Sequence, residues 1–146
     1  MIAYLDASVV LRLVLGEPGR LKEWQRIDRA VASALTEVEC LRTLDRLRVA
    51  GAVTVDELAN RRAAVYRLLE AVEVVDIART VLRRASEPSP TPLGTLDAIH
   101  LATALLWRDS RDAALTMATH DRALATAARA AGLEVVGAPR SSTSGR

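Results

Sequence analysis

Ile2-Ala3-Tyr4-Leu5-Asp6-Ala7-Ser8-Val9-Val10 opens the chain with an apolar run, an acid, and a second apolar run that continues to Leu15. The first run suits a short buried strand. The second suits a helix, which Gly16 and Pro18 then stop. A strand turning at once into a helix is the building unit of parallel α/β sheets. In open sheets of that kind, ligands bind beyond the carboxyl ends of the strands, which is where Asp6 stands.

The same alternation recurs downstream. Val31–Leu35, Glu73–Ile77, Ala113–Ala118 and Leu133–Val136 read as further strands. Helical patterns cover Gly19–Arg29, Thr36–Ala50, Thr54–Val72, Ala78–Ala85, Leu96–Trp107 and Arg122–Ala131. Val38, Leu41, Leu44 and Leu47 on one stretch, and Leu58, Val65, Leu68, Leu69 and Val72 on the next, make a helical hairpin with an apolar seam. Alternating Pro88, Pro90 and Pro92 force an extended loop before Leu96–Trp107, which is apolar almost all round beyond Asp97 and so expected to be buried. The expected fold is α/β: a central, mainly parallel five-stranded sheet with helices on both faces and the hairpin inserted. One domain is expected over residues 1–136. The Ser-, Gly- and Arg-rich stretch 137–146 has no apolar run to pack and is expected to be a disordered tail.

At 146 residues the length fits one domain. Apolar residues make up 50% and charged residues 26%, a globular balance. Cys40 is the sole cysteine, which excludes a disulfide scaffold and a multi-cysteine metal site and suits a reducing compartment. The longest stretch free of Asp, Glu, Lys and Arg is Ala98–Trp107, too short for the roughly 20 residues of a membrane span. An acid at position 6 with no basic lead-in does not match a secretory signal, so a soluble cytoplasmic protein is expected. Lys22 is the only lysine, so nearly every cation is arginine, whose planar fork matches phosphate. An alanine- and arginine-favouring codon composition accounts for the same bias equally well. The net charge is only +2, but four of the 18 acids gathered in one pocket would leave the remaining surface clearly cationic.

Which acids are these? Asp6 ends the first strand, Glu39 follows the second, Asp121 follows the fourth, and Asp97 opens the buried helix. Each has a bland role available. Asp6 and Asp121 suit helix N-caps, and Thr36-Glu37-Val38-Glu39 matches a capping box, as does Thr54-Val55-Asp56-Glu57 where no chemistry is expected. Together they read differently, because a doubly wound topology aims the strand ends at one crevice. Converging carboxylates repel one another unless a cation neutralises them. Hard oxygen donors without a His or Cys cage favour Mg2+ or Mn2+.

The segments Tyr4–Val10, Thr36–Glu39, Leu96–Ala102 and Thr119–Asp121 occur in the order and spacing of PIN domains, and the chain resembles the VapC toxins of that superfamily over residues 2–136. The resemblance implies an α/β/α sandwich and a Mg2+- or Mn2+-dependent endoribonuclease acting as the toxin of a type II toxin–antitoxin pair. It assigns the metal-binding, catalytic carboxylates to Asp6, Glu39, Asp97 and Asp121. It also implies a VapB-type antitoxin, an RNA substrate, and a homodimer or a larger assembly with the antitoxin. Leu124 stands where many relatives carry Phe, a matter of packing.

Ser8 and Thr119 lie beside two of the acids, where their hydroxyls suit orienting a carboxylate, binding phosphate or capping a helix. Arg12, Arg42, Arg46 and Arg122 are candidates to hold RNA phosphates, although pairing with Asp45 or Glu23 is an equal account of that face. His100 and His120 would serve a metal-free ribonuclease, which leaves the acids unexplained. Cys40 is expected in the core. Two alternatives remain. A haloacid-dehalogenase-like phosphatase needs a second Asp two residues after Asp6, where Ser8 stands. A non-enzymatic module would use the acids as caps and the Thr36–Val72 hairpin to bind a partner.

Overall fold

A computed structural model describes residues 1–139. Five parallel strands form one sheet in the order β3-β2-β1-β4-β5. They are β1 (Ile2–Leu5), β2 (Arg29–Ser33), β3 (Glu73–Val75), β4 (Thr116–Ala118) and β5 (Glu134–Val136). The α-helices are α1 (Ala7–Leu15), α2 (Ala34–Val49), α3 (Val55–Glu70), α4 (Arg79–Ala85), α5 (Thr95–Arg111) and α6 (Arg122–Ala130). Strand order reverses beside β1, so the crevice where topology switches lies beyond Leu5.

The pleat of β1 assigns its side chains to two cores. Ala3 and Leu5 pack with Val9, Val10, Cys40, Leu44 and Val65 of α1–α3 on one face. Tyr4 packs with Leu105, Trp107, Met117 and Leu124 beneath α5 and α6 on the other. Helices on both faces hide the centre of the sheet, and the central strand β1 accordingly carries no charged residue. The hairpin seam is spent largely within the domain: Leu41, Leu44, Leu58, Val65, Leu68, Leu69 and Val72 all join the first core. Val38 and Leu47 do not, and Val38 is 56% exposed.

Two local expectations need correction. Gly19–Arg29 is not a helix: only Trp24–Arg26 make a 3-10 turn, and Arg29 already pairs with Ile2 in the sheet. Eleven residues gain too little to offset helix nucleation when strand pairing claims one end. Leu21, Trp24 and Ile27 reach the core from the irregular chain instead. The second strand also ends earlier than expected, at Ser33, whose hydroxyl caps α2 by accepting from the Leu35 N–H at 3.0 Å. Thr36 therefore lies inside the first turn, and Glu39 takes part in no capping box. The matching sequence at Thr54 does form its box, with reciprocal bonds to Glu57 of 3.1 and 2.9 Å.

Residues 140–146 of the expected tail lie outside the described residues. Its first residues are packed. Ala138 is buried, its carbonyl accepts from Arg129 at 2.8 Å, and the Gly137 carbonyl lies 3.0 Å from His120 Nδ1. Among the described residues no helix is long and apolar enough to cross a membrane.

Candidate active site

Asp6 is the innermost acid, 5% exposed, at the point where β1 becomes α1. Its Oδ1 accepts from the Ala7 N–H at 2.8 Å. Its Oδ2 accepts from the Ser8 hydroxyl at 2.7 Å and the Thr119 hydroxyl at 2.8 Å. Those hydroxyls accept in turn from the backbone of the β4–α6 turn: His120 N–H to Ser8 Oγ and Asp121 N–H to Thr119 Oγ1, both at 3.0 Å. A carboxylate has about four lone-pair sites. Three are used, so Asp6 is locked in place with one acceptor site to spare.

Asp121 caps α6, its Oδ1 accepting from the Leu124 N–H at 2.8 Å. Asp97 caps nothing. Gly94 is the N-cap of α5, and the Asp97 carboxyl makes no hydrogen bond with the described residues. Burial, reinforced by the charges of Asp121 and Asp6, pushes its pKa up to about 6. Glu39, on the second turn of α2, bonds through Oε1 to His100 Nε2. The four acids, placed by four separate segments, line one cavity of about 430 Å3. Ala7, Ser8, Leu11, Leu35, Val38, Arg42, Thr43, Arg46 and Leu96 complete its lining.

His100 is fully buried. Burial alone would lower its pKa, but the bond to Glu39 and the nearby charges of Asp6, Glu39 and Asp97 outweigh that and raise it. The Tyr4 hydroxyl stands 2.7 Å from His100 Nδ1. Burial, followed by the charge of Asp6, holds that phenol well above its usual range. Cys40 is buried, its thiol pushed up to about 12 by burial and the charges of Glu39 and Asp6, which suits a packing role. Tyr4 is the site residue that sequence reasoning missed. The available signal was a lone phenol in an aliphatic strand, on the face later covered by a helix carrying a lone imidazole.

Of the candidate arginines, Arg42 and Arg46 line the cavity, one turn apart on α2. Arg12 and Arg122 are not in its lining; Arg12 donates to the Gly19 carbonyl at 3.2 Å. His120 presents its backbone to Ser8 while its Nδ1 turns to the Gly137 carbonyl, so it and His100 form no catalytic pair.

Among the described residues no three His, Cys, Asp or Glu side chains are gathered tightly enough to cage a bare ion. The donor set nonetheless fits a hard divalent ion that keeps much of its water. Such ions take carboxylate oxygens through few direct bonds. Burial first, and the neighbouring carboxylates second, disfavour the charged form of Asp97, which suits a site that a cation completes.

The PIN domain family profile matches residues 3–130. Ribonuclease VapC46 of Mycobacterium tuberculosis is 35% identical over 104 residues, 69% of this chain and 72% of that protein. The fold is also similar to three solved structures. VapBC2 of Rickettsia felis bound to a promoter DNA fragment has a TM-score of 0.62 at 14% identity, covering 92% of this chain and 97% of that one. VapBC-1 of nontypeable Haemophilus influenzae has 0.59 at 19%, covering 92% and 96%. A toxin–antitoxin complex from Klebsiella pneumoniae has 0.59 at 18%, covering 86% and 91%. With a five-stranded parallel sheet between two helical layers and a profile match over nearly its whole described length, this chain belongs to the PIN domain family and is similar to the VapC ribonucleases.

Proposed function

We propose that this protein is a Mg2+- or Mn2+-dependent endoribonuclease whose site is the cavity lined by Asp6, Glu39, Asp97 and Asp121, and that it is the toxin of a type II toxin–antitoxin pair. The observation that carries the reading is Asp97. A structural acid would cap a helix or pair with a cation, whereas this one does neither and is held half-buried against other carboxylates at a cost in free energy. The likeness to a VapC ribonuclease supports the substrate class. The toxin–antitoxin complexes among similar folds suit a VapB-type antitoxin as partner, in a heterotetramer or larger assembly built on a toxin homodimer. On the expected antitoxin surface, Val38, Val49, Val55 and Tyr66 are the large apolar side chains left exposed by the domain itself. A cytoplasmic setting suits an RNA substrate and a single free thiol.

A bound divalent ion would offset phosphate charge and lower the pKa of water. The chain does the rest. Asp6, fixed by Ser8 and Thr119, offers one oriented lone pair. Asp97 and Asp121 line the same space and would hold the ion directly or through water. Glu39, engaged through one oxygen, keeps the other to orient the attacking water. Arg42 and Arg46 hold neighbouring phosphates on the α2 wall. Water adds to phosphorus as the P–O3′ bond breaks and the leaving oxygen takes a proton, giving a 5′-phosphate and a 3′-hydroxyl. The test is incubation with tRNA or rRNA and Mg2+ or Mn2+, with and without chelator. Cleavage is expected only with metal and is expected to vanish in Asp6→Asn. Cyclic-phosphate ends, or cutting that survives chelation, would refute the reading.

A further inference from the structure

The Tyr4–His100–Glu39 chain crosses the molecule and is not accounted for by the four acids alone. Tyr4 lies two residues before Asp6 on β1, His100 lies three residues after Asp97 on α5, and Glu39 is on α2. One imidazole thus joins the elements that carry three of the acids. A buried imidazole is tolerated only with both nitrogens satisfied, and both are, by the Tyr4 hydroxyl at 2.7 Å and by Glu39. Nε2 also lies 3.6 Å from Asp6 Oδ1, so it sits between two of the cavity carboxylates.

A carboxylate only accepts, so Nε2 must carry the proton that meets Glu39. In a neutral ring, Nδ1 then accepts from the Tyr4 hydroxyl; in a charged ring, Nδ1–H donates to the same oxygen. Either way the ring stays put and the bond to Glu39 points the same way. Glu39 has nearby alternatives. Arg42 lies three residues further along α2, at a spacing where side chains meet, and Arg42 and Arg46 line the same cavity. A free Glu39 would swing toward the Arg42 guanidinium, and its carboxylate would be lost to the site.

We propose that His100, held by Tyr4, is a positioning residue that keeps Glu39 aimed at the ion-binding end of the cavity and away from Arg42. The proposal rests on the nuclease reading of the site. Its test is Mn2+ titration calorimetry on the full chain without RNA, alongside RNA cleavage. His100→Leu is expected to weaken Mn2+ binding about tenfold or more, the usual scale for losing a partner of a metal ligand. His100→Gln, whose amide N–H can reach Glu39, is expected to recover most of that loss. The loss should disappear when His100→Leu is made in a Glu39→Gln background. Tyr4→Phe should weaken Mn2+ binding less than His100→Leu does, and again only while Glu39 is present.

Wild-type Mn2+ affinity in a folded His100→Leu protein would overturn the proposal, as would failure of Gln to rescue, or losses that add to that of Glu39→Gln. Should His100→Leu fail to fold, the Tyr4→Phe and Glu39→Gln cycle decides, and additive losses there overturn it. A wild-type protein that binds Mn2+ but cuts no RNA refutes the nuclease reading and leaves the positioning result standing. Binding and cutting that are untouched by His100→Leu refute the positioning alone. A wild-type protein that takes up no Mn2+ overturns both.

Discussion

The Thr119 hydroxyl donates to Asp6 Oδ2 at 2.8 Å, joining the carboxyl ends of the neighbouring strands β1 and β4 across 113 residues of sequence. The same oxygen accepts from the Asp121 N–H, so one hydroxyl orients one cavity acid and anchors the backbone of another. Thr119→Val keeps the shape and removes both bonds. A hydrogen bond to a charged group contributes about 1.5–3 kcal/mol, so a loss of about 2 kcal/mol in stability is expected, with a drop in RNA cleavage of about 10- to 100-fold. Urea unfolding and cleavage rates check it. An unchanged cleavage rate would mean that Asp6 does not need this bond for its work.

Asp97 gives a pH signature. Its carboxyl is raised from 3.8 to about 6 in the folded chain, by burial first and then by the charges of Asp121 and Asp6. Between those two values the unfolded chain has released the proton while the folded chain still holds it. Stability of the metal-free protein therefore falls as pH rises through that window. Asp97 is half-buried, so screening leaves about 1 kcal/mol, or about 2–4 °C in Tm. Asp97→Asn is expected to match the wild type near pH 4 and exceed it near pH 7.5 without metal. Adding Mn2+ should raise the wild-type Tm and leave the variant nearly unmoved. Scanning fluorimetry at both pH values decides, and a variant less stable than wild type at pH 7.5 would contradict the assigned burial and repulsion.

Arg42 and Arg46 are separable from arginines that serve the fold. Arg42 pairs with Asp45 at 3.1 Å on the surface, a contact that contributes little and leaves it free to take phosphate. Arg111 bonds Glu73 at 2.9 Å and lies 5.7 Å from the Trp107 ring, away from the cavity. In an Asp6→Asn background, each of Arg42→Ala and Arg46→Ala should weaken RNA binding and reduce the slope of log affinity against log salt by about 0.7–1. Arg111→Ala should leave that slope alone. Equal slopes for all three would remove the α2 wall from the RNA path.

How much of this is legible in the sequence depends on how far the deciding contact reaches. Asp6 and Asp121 can be found from local pattern, since each follows an apolar run and precedes a helix, and both do cap one. The parallel sheet follows from strand–helix alternation. The Gly19–Arg29 segment is misleading because its helical spacing is real, yet Arg29 and Ala30 are claimed by pairing with Ile2 and Ala3. Thr36-Glu37-Val38-Glu39 misleads for a similar reason: Ser33, an equally good cap, comes first and starts the helix early. The Tyr4–His100 contact spans 96 residues, and periodicity names a face without naming the residue opposite.

Gly137 connects the start of the C-terminal stretch to the acid cavity. Its φ of +94° lies where side chains are strained, and a Cβ there would come within 2.6 Å of the Thr119 carbonyl oxygen and 3.2 Å of Leu21 Cδ1. The nearer obstacle is backbone, and it cannot turn aside as a side-chain tip would. The Thr119 N–H is itself bonded to the Val136 carbonyl at 3.1 Å, so the two segments are already fixed against each other. Gly137→Ala must therefore displace Thr119, and with it the hydroxyl that holds Asp6. Gly132 supplies the comparison, because its φ is also positive at +83° but nothing lies within 4 Å of its added Cβ. Both substitutions should cost about 1–2 kcal/mol for the backbone conformation. Only Gly137→Ala should add a clash, for about 1–3 kcal/mol more. Only Gly137→Ala should also weaken Mn2+ binding, which calorimetry would read. Equal effects of the two on Mn2+ affinity would show that Asp6 is insulated from the C-terminal stretch.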